Sequence, residues 1–166
     1  IDAANLSCAW TDNQGVMNTF EGGELDITVE IETVIGTIST FVDLNGTYTS
    51  SGLQHFDQPV NGQLRHLGDS PVEYKVQSEL VVGGTGNNEL SLKVVVFRSA
   101  TASFEDQKTQ IRQVDNLQGG RDVAYFSLFN NIVLNKNDYV KLQVANNTST
   151  DNVTAEINSF YVVEAR

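Results

Sequence analysis

The stretch VEYKVQSELVV, residues 72–82, limits the architecture more than any other part of the chain. Val72, Tyr74, Val76, Leu80 and Val82 fall on one face of an extended segment, and Glu73, Lys75, Gln77 and Glu79 on the other. A period of two marks a half-buried β-strand, because successive Cβ atoms point to opposite faces, whereas a helix repeats every 3.6 residues. Strand-like runs recur at LDITVEI (25–31), GTISTFVDL (36–44), LSLKVVVF (90–97), KTQIRQV (108–114) and VAYFSLF (123–129). Near the end, Val140, Leu142 and Val144 alternate with Tyr139, Lys141 and Gln143, and Val153, Ala155 and Ile157 alternate with Thr154 and Glu156. The last strand is expected to run on through SFYVV (159–163).

Between these runs lie turn signals, including Gly22-Gly23, Asn45-Gly46, Ser51-Gly52, Asn61-Gly62 and Gly119-Gly120. The run Gly83-Gly84-Thr85-Gly86-Asn87-Asn88 is expected to form a hairpin loop. It is not a phosphate cradle, since no Lys-Ser or Lys-Thr follows and no helical pattern starts there. Segment 98–107, RSATASFEDQ, is expected to hold a helical turn at most. About eight short strands without alternating helices predict an all-β antiparallel sandwich or jelly roll.

The chain has 166 residues, the size of one compact domain with a substantial core. Its 21 acidic residues against 10 basic ones give a formal net charge of -11. That balance argues against nucleic-acid binding, which needs Lys and Arg to neutralise phosphates, and against anionic membrane surfaces. No apolar run approaches the roughly 20 residues of a membrane-spanning helix. Cys8 is the sole cysteine and is expected to be a small buried apolar residue near Trp10, not a reactive thiol. The chain begins at Ile1 with nothing resembling a signal peptide nearby, so a cut precursor or one part of a longer chain is expected.

The inventory for catalysis is thin. His55 and His66 are the only imidazoles; a metal would need Asp57 or Asp69 beside them, and no third soft ligand is suitably spaced. Glu21, Glu24 and Asp26 form an acidic cluster and Asp12 lies in TDNQG, but neither place matches a calcium loop, so solvated surface charge is expected. Carboxylates are plentiful enough for a glycosidase pair by count alone, yet Gly-x-Ser-x-Gly and His-Glu-x-x-His are absent. No catalytic residue, metal ligand or cofactor is assigned. Sequons at Asn5, Asn45, Asn146, Asn147 and Asn152 are taken as turn chemistry, not as glycan acceptors. The loop from Asn146 to Asp151 holds neither Gly nor Pro, and is expected to close through side chains bonding their own backbone. Its exposed contact candidates are Asn146, Asn147, Thr148, Asp151 and Asn152.

Three stretches carry a family resemblance: FVDLNGTYTSSGLQHFDQPVNGQLRHLGDSPVEYKVQSELVV, LSLKVVVFRSAT and LNKNDYVKLQVANNTSTDNVTAEINSFYVV. They resemble the β-rich C-terminal modules of tailed-bacteriophage virion proteins, including tail-fibre tips, head fibres and capsid decoration proteins. The resemblance covers residues 41–163. It implies a jelly roll similar to the tumour-necrosis-factor and complement globular-head fold, assembled as a homotrimer, with the last two strands as neighbours in the sandwich. Residues 41–166 are then the jelly-roll core of one compact domain, and residues 1–40 an N-terminal arm or strands, with attachment to the particle as their expected role.

Two strands break the inside–outside alternation. Ala124, Phe126 and Leu128 oppose Val123, Tyr125 and Phe129, and Phe160 and Val162 continue the polar face of Thr154, Glu156 and Asn158. Two-sided apolar strands suit a subunit interface, for which Phe126, Leu128, Phe160 and Val162 are the candidates. The expected function is a non-enzymatic, trimeric structural knob on the surface of a phage virion, in contact with itself and with the major capsid protein or another virion protein. The alternative is the receptor-binding tip of a tail fibre or tailspike that recognises host surface glycans. Trp10, Tyr48 and Tyr139 are then the aromatic candidates.

Overall fold

The computed structural model of the chain describes residues 10–11, 17–18, 21–116 and 122–165. Two short pieces, β1 (Trp10–Thr11) and β2 (Met17–Asn18), pair with each other. The rest is β3 (Gly22–Val29), β4 (Glu32–Thr33), β5 (Val42–Asp43), β6 (Thr47–Gln54), β7 (Phe56–Asp57), β8 (Leu64–His66), β9 (Val72–Gly83), β10 (Glu89–Arg98), β11 (Ser103–Gln113), β12 (Val123–Leu134), β13 (Tyr139–Asn146) and β14 (Val153–Glu164). Asn5, Cys8, Asp12 and Gly119-Gly120 lie outside the described residues, as does the side chain of Trp10.

Two antiparallel sheets face each other across one core. One has the order β12-β9-β14-β3-β6 with β4 beside β14; the other has β11-β10-β13-β8-β7 with β5 beside β13. From β9 onward the chain changes sheet between β9 and β10, between β11 and β12, between β12 and β13, and between β13 and β14, which makes the sandwich a jelly roll. The Gly83–Asn88 run is therefore a crossing between layers and not a hairpin loop. The long hairpin is β10–β11, where Arg98 is paired with Ser103 and residues 99–102 turn without forming a helix; the short β7 and β8 also pair with each other.

The alternating residues fill the space between the sheets. Tyr74, Val76, Leu80 and Val82 of β9 meet Leu90, Leu92, Val94 and Val96 of β10, all at most 2% exposed. At roughly 1.5–3 kcal/mol for each large apolar side chain removed from water, these positions dominate the fold's stability. Gly22 is needed where β3 crosses close to β14: a Cβ there would lie 2.5 Å from the carbonyl oxygen of Val162. The free edges of β11 and β12 face each other and are bridged by side chains in place of a ladder. Gln110 Oε1 accepts from Ser127 N at 2.9 Å, and Asn130 Oδ1 accepts from Lys108 N at 3.3 Å.

Two sequence expectations change. The arm expected over residues 1–40 does not extend that far, because β3 lies inside a sheet between β14 and β6 and Leu25 and Ile35 belong to the core. GTISTFVDL is not one strand. Apart from β5 it is a strap across the outer side of β10 and β13, where Ser39 takes φ 59° and its N donates to Asn146 O at 2.8 Å. The strap brings Phe41 under Lys93, with Nζ 4.0 Å from the ring centroid, and Asp43 to Lys141 at 2.6 Å. Both lysines are consequently buried although they alternate with core residues.

Candidate functional site

The outward face of the β9 sheet is the most unusual surface of the described molecule. Along β12 the even positions point inward, so Tyr125, Phe129 and Val133 point out, at 63%, 52% and 48% exposure. On β14, Val163 is 41% exposed and Tyr161 is half-buried. The register joins them into one stripe across β9: Tyr125 is paired with Val81, Phe129 with Gln77, and Gln77 in turn with Tyr161. Polar residues interrupt it, with Glu73, Lys75 and Glu79 on β9 and Ser127 and Asn131 on β12. At its far side Glu24 and Asp26 face Tyr161 and Ser159. Burial, together with the Glu24 charge, raises the Asp26 carboxyl above its ordinary range.

The expected interface residues are not on this face. Phe126, Leu128, Phe160 and Val162 are at most 3% exposed and belong to the core between the sheets. The reason is a β-bulge in β14: Ala155 is opposite Val82 and Ile157 opposite Val81, so Glu156 is an extra residue. One extra residue exchanges the two faces of everything that follows. Val153, Ala155, Phe160 and Val162 therefore all point inward, and strict alternation misassigns the last two. The two-sided apolar character of β12 is real, but its outward half is Tyr125 and Phe129.

The 146–152 loop crosses from β13 to β14 and spends most of its polar groups on itself. Asn146 is fully buried; its Oδ1 accepts from Thr148 N and Ser149 N at 3.0 and 3.1 Å, and its Nδ2 donates to Asp151 O at 3.1 Å. Asn147 donates to Glu89 Oε1 and Ser91 Oγ, Thr148 Oγ1 accepts from Glu89 N, and Asn152 Oδ1 accepts from Ile35 N. Asp151 accepts from Asn88, and hydrogen bonds from Ser149, Thr85 and Asn88 hold its carboxyl below the usual range. Thr148, Thr150 and Asp151 are the members left exposed. Loop closure through side chains is thus as expected, but Asn146 is no contact residue and no glycan acceptor.

The other candidates are committed elsewhere. Tyr48 is buried and donates to Leu44 O, while Tyr139 stacks on Phe97 with centroids 4.7 Å apart and meets the edge of Phe104. Lys141 Nζ lies 4.6 Å from the Phe104 ring centroid. Asp57 pairs with Arg65 and Asp69 with Lys136, and neither carboxylate is hydrogen-bonded to a histidine. His55 and His66 do come together, around Glu21, a partner their sequence spacing does not suggest. Among the described residues no three His, Cys, Asp or Glu side chains converge in metal-holding geometry, and no helix is long and apolar enough to cross a membrane.

The architecture defines the chain as an all-β protein with a tumour-necrosis-factor-like jelly-roll fold. It superimposes on the Eiger TNF of S. frugiperda with a TM-score of 0.64 over 89% of this chain and 93% of that one, at 10% identity. Murine APRIL, solved at pH 8.0, gives a TM-score of 0.57 over 86% of this chain and 98% of that one, at 9% identity. No family model and no curated protein matches the sequence. At such identities the likeness is one of fold.

Proposed function

We propose that this chain is a non-enzymatic structural knob that associates with copies of itself, as a homotrimer, through the outward face of the β9 sheet. The observation that carries the reading is the stripe of Tyr125, Phe129, Val133 and Val163 on a regular, rigid sheet. Monomeric proteins seldom leave contiguous apolar surface of more than a few hundred Å² in water, and large aromatics at the centre of a patch are typical anchors of an interface. A trimer also suits the tumour-necrosis-factor-like fold. The setting we propose is the surface of a phage virion, as the resemblance of residues 41–163 implies, with the knob reinforcing or decorating the shell through repeated contacts at a symmetry axis. A glycan-reading tip is less well supported, because the rings of Tyr48 and Tyr139 are covered by the protein's own residues.

Sedimentation equilibrium at micromolar concentration tests the association. The wild-type chain should sediment at three times its chain mass. Phe129→Asp and Tyr125→Asp should each sediment as folded monomers, because both side chains leave the core untouched. A wild-type chain that stays monomeric ends the proposal.

A further inference from the structure

Two Asn-Gly pairs that mark turns in the sequence meet in the fold, and they are held in opposite ways. Asn61 has its amide drawn to another segment: Oδ1 accepts from Tyr48 N at 2.9 Å, and Nδ2 donates to Gly46 O. Both polar ends of that amide are committed to β6 and the residue before it. Asn45 is exposed and lies at the crossing from β5 to β6. Its Oδ1 accepts from the N–H of its own successor, Gly46, at 3.0 Å. Its Nδ2 donates to Glu32 O at 3.2 Å and its backbone N to Thr33 Oγ1 at 2.9 Å, two bonds that tie the crossing to β4.

An asparagine side chain is open to attack by the main-chain nitrogen that follows it. That nitrogen gives up its proton and bonds to Cγ, the Cγ–Nδ2 bond breaks, and Nδ2 leaves as ammonia with the proton. A succinimide ring remains. Water opens the ring at either carbonyl, giving aspartate or, where the main chain now runs through Cβ and Cγ, isoaspartate. The step needs the nitrogen and the amide held against each other, and no side chain on the attacking residue to keep them apart. Asn45 and Gly46 meet both conditions, since the Gly46 N–H is aimed at the amide it would attack. Once the proton is lost, the electron pair points into the same amide, whose carbon is reached by a small rotation of the side chain. A Cβ at Gly46 would crowd Ile27 at 3.3 Å, so the packing favours the residue least able to shield Asn45. Asn61 meets only the second condition, because Tyr48 and Gly46 hold its amide.

We infer that Asn45-Gly46 is a self-modification site, at which the folded chain converts Asn45 to aspartate and isoaspartate with age while Asn61 is spared. The change is irreversible and its consequence is local. A carboxylate at position 45 has no N–H to give Glu32 O, and its charge joins those of Glu32 and Asp43 around a cavity of about 280 Å³ that the three residues line. Isoaspartate also lengthens the main chain by a carbon at a place where both sides are fixed. Before it, Leu44 N donates to Leu142 O on the β10 sheet; after it, Gly46 O accepts from Asn61 next to β6 of the other sheet. The tie between β4 and the crossing is thereby released.

The decisive experiment incubates the full chain at mildly alkaline pH, folded and in urea, and digests samples with an acid-active protease, which halts the reaction. The peptides that contain Asn45 and Asn61 are followed by mass, with electron-transfer fragmentation to separate aspartate from isoaspartate. In urea both sites should convert, because an Asn-Gly pair is labile in a free chain. In the folded chain, the rate at Asn45 relative to its own rate in urea should exceed the same ratio for Asn61 by at least about tenfold. Equal ratios, or an Asn45 that stays intact when folded while it converts in urea, would overturn the inference. Asn45→Gln keeps an amide but has to close a larger ring, so it should abolish the change in this peptide; continued ammonia loss from it would place the reaction elsewhere. The aged fraction, separated by its added negative charge on an anion exchanger, should melt below the fresh chain. Asn45→Asp, which adds the charge without lengthening the main chain, should melt between the two, and an aged fraction that melts like the fresh chain would refute the release of the crossing.

Discussion

Asp138 shows how much one side chain can hold. It is 1% exposed, and it accepts from Ser99 N at 2.9 Å, from Asn135 N at 3.1 Å and from Arg98 Nη1 at 3.0 Å, where the chain passes from β12 to β13. Burial alone would raise its carboxyl, but the Ser99 and Asn135 backbone donors and Arg98 prevail and lower it. Asp138→Ala removes the acceptor of two part-buried backbone N–H groups and one of the partners of Arg98, which keeps Glu105 and Val133 O, so it should cost about 1–3 kcal/mol in urea denaturation. Asp138→Asn keeps an acceptor but no charge and should cost less. Because the folded carboxyl titrates below the unfolded one, the charge contributes in full above the unfolded value of about 4 and is lost as pH falls through the folded value. The stability gap between wild type and Asp138→Asn should therefore shrink on acidification below about pH 4. A gap that stays constant or widens there would show that the carboxylate is not the stabilising form. In the sequence, Asp138 is one polar residue in an Asn-Asp-Tyr turn; its importance comes from Arg98 and Ser99, brought to it by the β10–β13 pairing.

At the scale of elements, long strands were legible and the irregularities between them were not. β9, β10 and β13 carry alternation strong enough to be placed within about two residues by period alone. β5, β7 and β8 have two or three residues each, too few for a period to appear. The strap escaped for a different reason: alternating Ile38, Thr40 and Val42 imitate a strand, whereas Ile38 is exposed and Ser39 takes a left-handed backbone. The bulge at Glu156 had the largest consequence, because it leaves no compositional mark and inverts the assignment of Phe160 and Val162. Deleting Glu156 makes Ala155 and Ile157 consecutive opposite Val82 and Val81, a regular ladder in which Val153, Ala155, Phe160 and Val162 all still face the core, so this variant should keep one cooperative thermal transition in circular dichroism. Deleting Ser159, in the regular part of β14, instead turns Phe160 and Val162 outward, and with two core side chains displaced at roughly 1.5–3 kcal/mol each it should abolish that transition. A Ser159 deletion that melts like wild type would mean that register does not decide which face of β14 is buried. Phe160→Asp, for the same reason, should unfold the chain, not merely separate its copies.

For the whole molecule, net charge and apolar face pull in opposite directions. Each copy carries a formal charge of -11, and Glu73 and Glu79 lie within the apolar stripe itself, with Lys75 between them. Three copies brought together repel one another over distances comparable with the Debye length, about 10 Å at 0.1 M salt, while burial of Tyr125, Phe129, Val133 and Val163 is indifferent to ionic strength. If the face is held by apolar contact, screening removes only the opposing term. Raising salt from about 0.05 to 0.5 M, which shortens the Debye length about threefold, should tighten association in sedimentation velocity. An assembly held by ion pairs across the interface would weaken instead, and that result would move the interface off this face. The same balance explains why the sequence disclosed the fold sooner than the site. A core must obey a period, but the face proposed for self-association keeps its charged residues and differs from ordinary surface by a few exposed aromatic and apolar side chains.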